Sequence, residues 1–126
     1  MYHIVVLTDK KQDGENYAKM ITDYCAGQKL FPLLETYQDQ ENFFKEIQKK
    51  APDIALLVLP GVDGLNAAEH LRSLFPGCGL IWGSDLDFSL HAFRLRVEYF
   101  FMEPVEEQKI QEGLASWFRS KTYFKQ

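Results

Sequence analysis

Five short apolar runs, at residues 3–7, 30–35, 54–59, 79–82 and 97–102, alternate with segments of helical period, and this alternation constrains the fold more than any other feature. Each run is β-branched, Leu-rich or aromatic with little polar interleaving, as in strands covered by helices on both faces. The second run carries Pro32, which cannot donate to a ladder and so belongs at a sheet edge. Between the runs, Tyr17, Met20, Ile21, Tyr24 and Cys25 form one helical stripe, and Phe43, Phe44 and Ile47 a second. Leu65, Ala68, Leu71 and Leu74 form a third, Leu86, Leu90 and Phe93 a fourth, and Ile110, Leu114, Trp117 and Phe118 a fifth. Strand and helix in alternation imply right-handed crossovers and a parallel sheet. Five units are too few to close an eight-fold barrel. The expected fold is therefore an α/β three-layer sandwich of the flavodoxin-like type, with five parallel strands in the order 2-1-3-4-5 and five helices. Asp13, Asp39 and Asp63 are expected to cap the first three helices, and Asp85 and Asp87 to open the fourth. Gly113, inside the last helix, weakens it by about 1 kcal/mol relative to alanine.

A chain of 126 residues is the size of one domain. Residues 1–119 are assigned to it, and the polar, basic stretch 120–126 reads as a tail or the start of a linker. Fourteen basic against eighteen acidic side chains leave a net charge of −4, which argues against autonomous binding to nucleic acid or an anionic membrane. The longest apolar run is far short of the roughly twenty residues that span a bilayer. The start, MYHIVVLTDKK, lacks a signal-peptide layout, so a cytoplasmic location is expected. Cys25 and Cys78 show no CxxC spacing and read as ordinary thiols. His3, His70 and His91 lie on separate elements with no ligand spacing.

In an open parallel sheet, ligands bind beyond the carboxyl ends of the strands near the switch between strands one and three. That rule brings Thr8-Asp9-Lys10, Val58-Leu59-Pro60-Gly61, Gly83-Ser84-Asp85 and Glu103-Pro104 around one crevice. After the first strand stands TDKKQDG, with one threonine where a flavin-phosphate loop needs several Ser, Thr and Gly. There is no Asp-x-His-x-x-Gly loop for cobalamin and no GxGxxG for a dinucleotide. No cofactor is expected.

Two stretches, PDIALLVLPGVDGLNAAEHLR at 52–72 and SLHAFRLRVEYFFMEPVEE at 89–107, resemble response-regulator receiver domains, most closely those that precede LytTR-type DNA-binding domains. The resemblance runs over residues 3–118 and implies two-component signal transduction in the service of transcription regulation. At the positions that carry the family's chemistry, however, this chain departs from it. The acidic pair after strand one is Thr8-Asp9. The phosphoaccepting aspartate is Val58 counting forward from Pro52-Asp53, or Leu56 counting back from Pro60-Gly61. The Thr or Ser after strand four is Gly83, or Ser84 with one gap, and the Lys before the proline is Glu103. Phosphoryl uptake requires an ionised carboxylate to attack phosphorus while Mg²⁺ and the Lys neutralise the developing charge. Valine has no nucleophile, a lone acid is a weak Mg²⁺ ligand, and Glu103 reverses the local charge.

These departures imply a non-enzymatic pseudo-receiver that lacks the phosphoacceptor and works as a phosphorylation-independent interaction module, with Asp9 at most a metal-site remnant. Trp82 is expected beside the vacated pocket, and Phe100 stands at the family's switch aromatic. The resemblance places self-association or a protein partner on the face of the fourth helix, fifth strand and fifth helix, around Phe88, Phe93, Phe100, Phe101, Met102 and Trp117. Output then passes to a LytTR-like domain beyond Gln126 or to a partner regulator. The alternative is a receiver in which Asp9 and Glu103 rebuild a cation-sensing or small-molecule site.

Overall fold

The computed structural model describes the backbone of residues 1–125 and the side chains of residues 1–121. Its elements alternate as the apolar runs require: β1 (His3–Thr8), α1 (Lys11–Gly27), β2 (Leu33–Tyr37), α2 (Gln40–Lys49) and β3 (Ile54–Val58), followed by α3 (Gly61–Leu74), β4 (Gly79–Ser84), α4 (Ser89–Arg94), β5 (Tyr99–Met102) and α5 (Glu107–Lys125). The sheet is ordered β2-β1-β3-β4-β5 and every pairing is parallel. The flavodoxin-like sandwich expected from the sequence is the observed fold. The tail expected from residue 120 continues α5 as far as Lys125, and Gln126 lies outside the described residues.

Side-chain alternation along the strands divides the core into two halves. Val5, Leu7, Ala55, Leu57, Leu80 and Trp82 pack with Phe43, Phe44 and Ile47 of α2 and Ala67, Ala68 and Leu71 of α3. On the opposite face Ile4, Val6, Ile54, Leu56, Val58, Ile81 and Phe101 meet Tyr17, Ile21 and Cys25 of α1 and Ile110, Leu114 and Trp117 of α5. Gly113 is the close-approach point of α5, since a Cβ there would lie 3.0 Å from Ile81 side-chain atoms. Both thiols are free and buried, and burial first of all pushes Cys78 up to about 12.

Two strands are shifted from their apolar runs, each for a local reason. The chain leaves α1 through Lys29 at φ 60°, and the Leu30 N–H donates to the Cys25 carbonyl. Extension therefore begins only after Pro32, and β2 runs on through Thr36 and Tyr37 as a half-buried edge strand. At the other edge Arg96 has φ 54° and the Val97 N–H still closes α4 on the Ala92 carbonyl, so β5 starts at Tyr99.

Of the expected caps, Asp39 holds: its carboxylate accepts from the Asn42 N–H at 2.8 Å. Asp13 and Asp63 do not cap. Helices α1 and α3 begin earlier than their apolar stripes, leaving both acids inside the first turn. Gly61, in the left-handed region at φ 56°, instead gives its N–H to Asp85 Oδ1 from the β4–α4 loop at 2.8 Å. Asp85 thus caps α3 rather than opening α4. Asp87 alone serves α4, accepting from the N–H and the hydroxyl of Ser89.

Candidate functional site

Strand register assembles the crevice. Thr8 pairs with Val58, Val58 with Gly83, and Gly83 with Phe101, forming one row across the carboxyl end of the sheet. This register resolves the two sequence counts. Val58 is the last residue of β3, whereas Leu56 lies mid-strand between Val6 and Ile81. The row is sealed: Thr8 is 1%, Val58 4% and Phe101 5% exposed. A Cβ on Gly83 would meet the Phe101 ring at 2.6 Å, so that ring occupies the space a Thr or Ser side chain there would need. Phe101 closes the crevice, in the place the sequence suggests for Trp82. Trp82 is one residue from Gly83 and therefore points to the other face. There it stacks on Phe88 at 5.5 Å and meets Phe100 edge-on at 5.1 Å. Its Nε1 lies beneath the first turn of α3, 3.1 Å from where a Gly64 Cβ would sit. Ser84 leaves the row in the same way. It is fully buried and its Oγ accepts from the Leu86 N–H at 3.1 Å.

Thr8 Oγ1 is the one polar side-chain atom in the row, and it is buried with no hydrogen-bond partner. Carboxylates ring its rim. Asp9 and Glu103 are exposed, and both act electrostatically on the buried Tyr17 hydroxyl. Neither carboxylate has an ion pair among the described residues. No group of three or more His, Cys, Asp or Glu side chains among the described residues is placed to hold a metal ion. A cation that the sequence does not single out stands nearby. Lys109, on the first turn of α5, donates to the Met102 and Pro104 carbonyls at 3.1 and 3.0 Å and lies 5.7 Å above the Phe101 ring. Its ammonium is thus spent on the β5–α5 loop carbonyls, on Glu106 Oε1 at 3.4 Å and on an aromatic face, and it pairs with neither Asp9 nor Glu103.

Burial, then Asp13, Glu103 and Asp9, raise Tyr17 to about 12. The unfolded chain releases that proton near pH 10, so stability falls as pH climbs from about 10 towards about 12. Tyr17→Phe should make this alkaline limb shallower in urea midpoints without abolishing it, since the Cys78 thiol, also raised to about 12, contributes in the same direction. It should also remove a phenol that titrates near pH 12 from the ultraviolet titration of the six tyrosines. A limb unchanged in the variant would show that other groups set it.

Solved structures supply the comparison. No protein-family model and no curated protein sequence matches the chain. A response regulator receiver domain protein from Clostridium thermocellum superposes with a TM-score of 0.79 at 14% identity, over 98% of this chain and 99% of that one. The REC domain of AraT, a response regulator from Geobacillus stearothermophilus, gives 0.75 at 19% identity with 100% of both chains covered. A two component transcriptional regulator AraC from Clostridium phytofermentans gives 0.74 at 18%, over 99% of this chain and 98% of that one. The chain has the receiver-domain fold.

On this receiver fold the expected interaction face divides. Phe101 and Trp117 are core residues packed between the sheet, α1 and α5, and offer nothing to a partner. Phe88 and Phe100 are half-buried against Trp82. Phe93 at 82% and Met102 at 42% are exposed, and they are joined by Leu90 at 60%, Leu86 at 47% and Val62 at 61%, which the sequence does not assign to the face. The helical stripe of α4 suggests burial for Leu86, Leu90 and Phe93. A six-residue helix buries only Ala92, so most of that stripe faces outward. His3, expected as a surface or partly buried residue, is 4% exposed, with Nε2 2.6 Å from Glu35 Oε1 and Nδ1 3.3 Å from the Ala51 carbonyl. No described helix is long and apolar enough to cross a membrane.

Proposed function

We propose that the chain is a pseudo-receiver, a non-enzymatic member of the response-regulator receiver family that serves transcription regulation through protein contact rather than phosphoryl transfer. One observation carries this reading: the residue closing β3 is a buried valine, in register with Gly83 beneath the Phe101 ring. A sealed row with no carboxylate, no base to activate the Thr8 hydroxyl and, among the described residues, no cation paired within it neither attacks phosphorus nor neutralises an incoming phosphoryl group. The test is intact mass after incubation with acetyl phosphate and Mg²⁺. The expected result is no added phosphoryl group, about 80 Da, and no response of the amide spectrum to beryllofluoride. An adduct on any carboxylate overturns the proposal. A saturable response to Mg²⁺ or Mn²⁺ that disappears in Asp9→Ala replaces it with the cation-sensing receiver.

Partner contact is assigned to α4 and the outer edge of β5, with a second copy of the chain as the occupant. Leu90, Phe93 and Met102 supply exposed apolar surface, and β5 is an edge strand of the sheet. Light scattering should show mass rising with concentration. Phe93→Glu should hold the chain monomeric with an unchanged urea midpoint, since the side chain is 82% exposed and contributes little to the fold. A strict monomer at high concentration removes the second copy from the proposal.

A further inference from the structure

At the opposite end of the sheet from the Thr8–Phe101 row, a cavity of about 210 Å³ opens between the α3–β4 loop, the α4–β5 loop and α5. Its polar walls are Arg72, Arg96, Ser120 and Lys121, with Glu98 the one acid and Trp117 beside them. In a chain with more acids than bases, cations are expected to find carboxylates. Here Arg72, Arg96 and Lys121 make no ion pair among the described residues.

Their donors are only partly used. Arg72 spends Nε and Nη1 on four backbone carbonyls, and Nη2 on one more, the Arg96 carbonyl at 3.2 Å, which leaves Nη2 a second N–H. Lys121 rests its ammonium 5.2 Å from the centre of the Trp117 ring. Glu98 Oε1 is occupied by the Ser116 hydroxyl at 3.3 Å. Three cations against one carboxylate leave two positive charges around a concave, partly desolvated space. Burial, and with it the Arg96 charge, pulls Arg72 below the usual arginine range, as for a cation short of counter-charge.

We propose that this cavity binds a phosphate-type dianion, held by Arg96, Lys121, the free N–H of Arg72 and the Ser120 hydroxyl. Two negative charges match the imbalance that a single carboxylate would leave half-neutralised, and guanidinium donors suit tetrahedral oxyanions. An adjoining cavity of about 300 Å³ shares Pro76, Gly77, Cys78, Trp117 and Lys121 and adds Ala51, Pro52, Leu74 and Phe75, a berth for the remainder of a phosphomonoester, with one acid on its wall, Asp53, whose Oδ2 accepts from the His3 N–H at 2.8 Å. The site is independent of the pseudo-receiver reading and lies at the other end of the strands from the crevice.

The experiment is an amide-shift titration of the full chain with inorganic phosphate at fixed ionic strength, repeated with phenyl phosphate and with chloride. Support is a saturable shift confined to the loops around Gly77, Gly79 and Glu98, weakened at least tenfold in the Arg96→Gln/Lys121→Gln double variant at unchanged melting temperature. Phenyl phosphate binding tenfold tighter than phosphate identifies a phosphomonoester as the natural ligand, and equal binding identifies free phosphate. Shifts that fail to saturate, that chloride reproduces, or that survive in the double variant overturn the proposal. If the double variant melts early, single Arg96→Gln and Lys121→Gln variants replace it, and each must weaken phosphate binding at least threefold.

Discussion

Arg72→Ala should destabilise the fold by about 3 kcal/mol, read as a lower urea midpoint, because one charged group ties the α3–β4 loop to the α4–β5 loop. The guanidinium leaves α3 near its last turn and donates to Phe75, Pro76 and Cys78 in the α3–β4 loop at 3.2, 2.9 and 2.8 Å. It also donates to Leu95 and Arg96 in the α4–β5 loop at 2.8 and 3.2 Å. Bonds from a charged donor to carbonyls contribute roughly 1.5–3 kcal/mol each when fully buried, and this side chain is half-buried, so the sum is discounted to the figure above. Helix α4 has six residues and buries only Ala92. It therefore depends on its C-terminal turn being held, and amide exchange at Leu95 to Glu98 should accelerate before the rest of the sheet. Arg72→Lys should recover less than half of the loss, since one ammonium cannot reach carbonyls spread over two loops. A midpoint within the range of an ordinary surface substitution would show that the loops hold themselves.

Nothing in the sequence announces that clamp, and the reason is physical. Arg72's acceptors are backbone carbonyls, which carry no residue signature, so a lone arginine at the end of a helical stripe looks like a solvated one. Asp85 is hidden for a related reason. Its partner, the Gly61 N–H, is 24 residues away and belongs to a different helix, so a tertiary cap reads locally as the start of α4. Strand order is legible because Pro32 marks an edge and the strand–helix alternation leaves few topologies. The crevice is legible in membership and not in orientation. Counts to Val58 and Leu56 differ by two residues and so keep the same face, and only the ladder to Thr8 and Gly83 separates them. Trp82 and Phe101 exchange places between sequence and structure because side-chain alternation decides which ring lies over Gly83, and β5 begins two residues later than its apolar run. Exposure on α4 is lost through its length, since a stripe of period 3.6 predicts burial only where a helix is long enough to lie along the sheet.

Val58→Asp places a carboxylate at the end of β3 in surroundings that offer it no cation. It should destabilise the chain by about 3 kcal/mol at neutral pH, the range for an unpaired charge introduced into a buried site. Val58 is 4% exposed, its neighbours in the row are Thr8, Gly83 and the Phe101 ring, and Lys109 is held by the β5–α5 loop carbonyls. Desolvation raises the folded-state pKa of the new acid above the value of about 3.9 it has when unfolded. Relative to the parent, the loss should therefore shrink below about pH 4 to that of a neutral polar group at this position, grow as pH rises through that value, and level off above the folded-state pKa. Val58→Asn, uncharged and of similar size, should show a smaller loss that does not change over the same range. Acetyl phosphate with Mg²⁺ should leave the Val58→Asp mass unchanged, because the nucleophile alone does not supply the counter-charge that phosphoryl transfer requires. A stable phosphoryl adduct on that variant would show that restoring one carboxylate restores the chemistry. A Val58→Asp chain as stable as its parent would show that the row is open to solvent rather than sealed by Phe101.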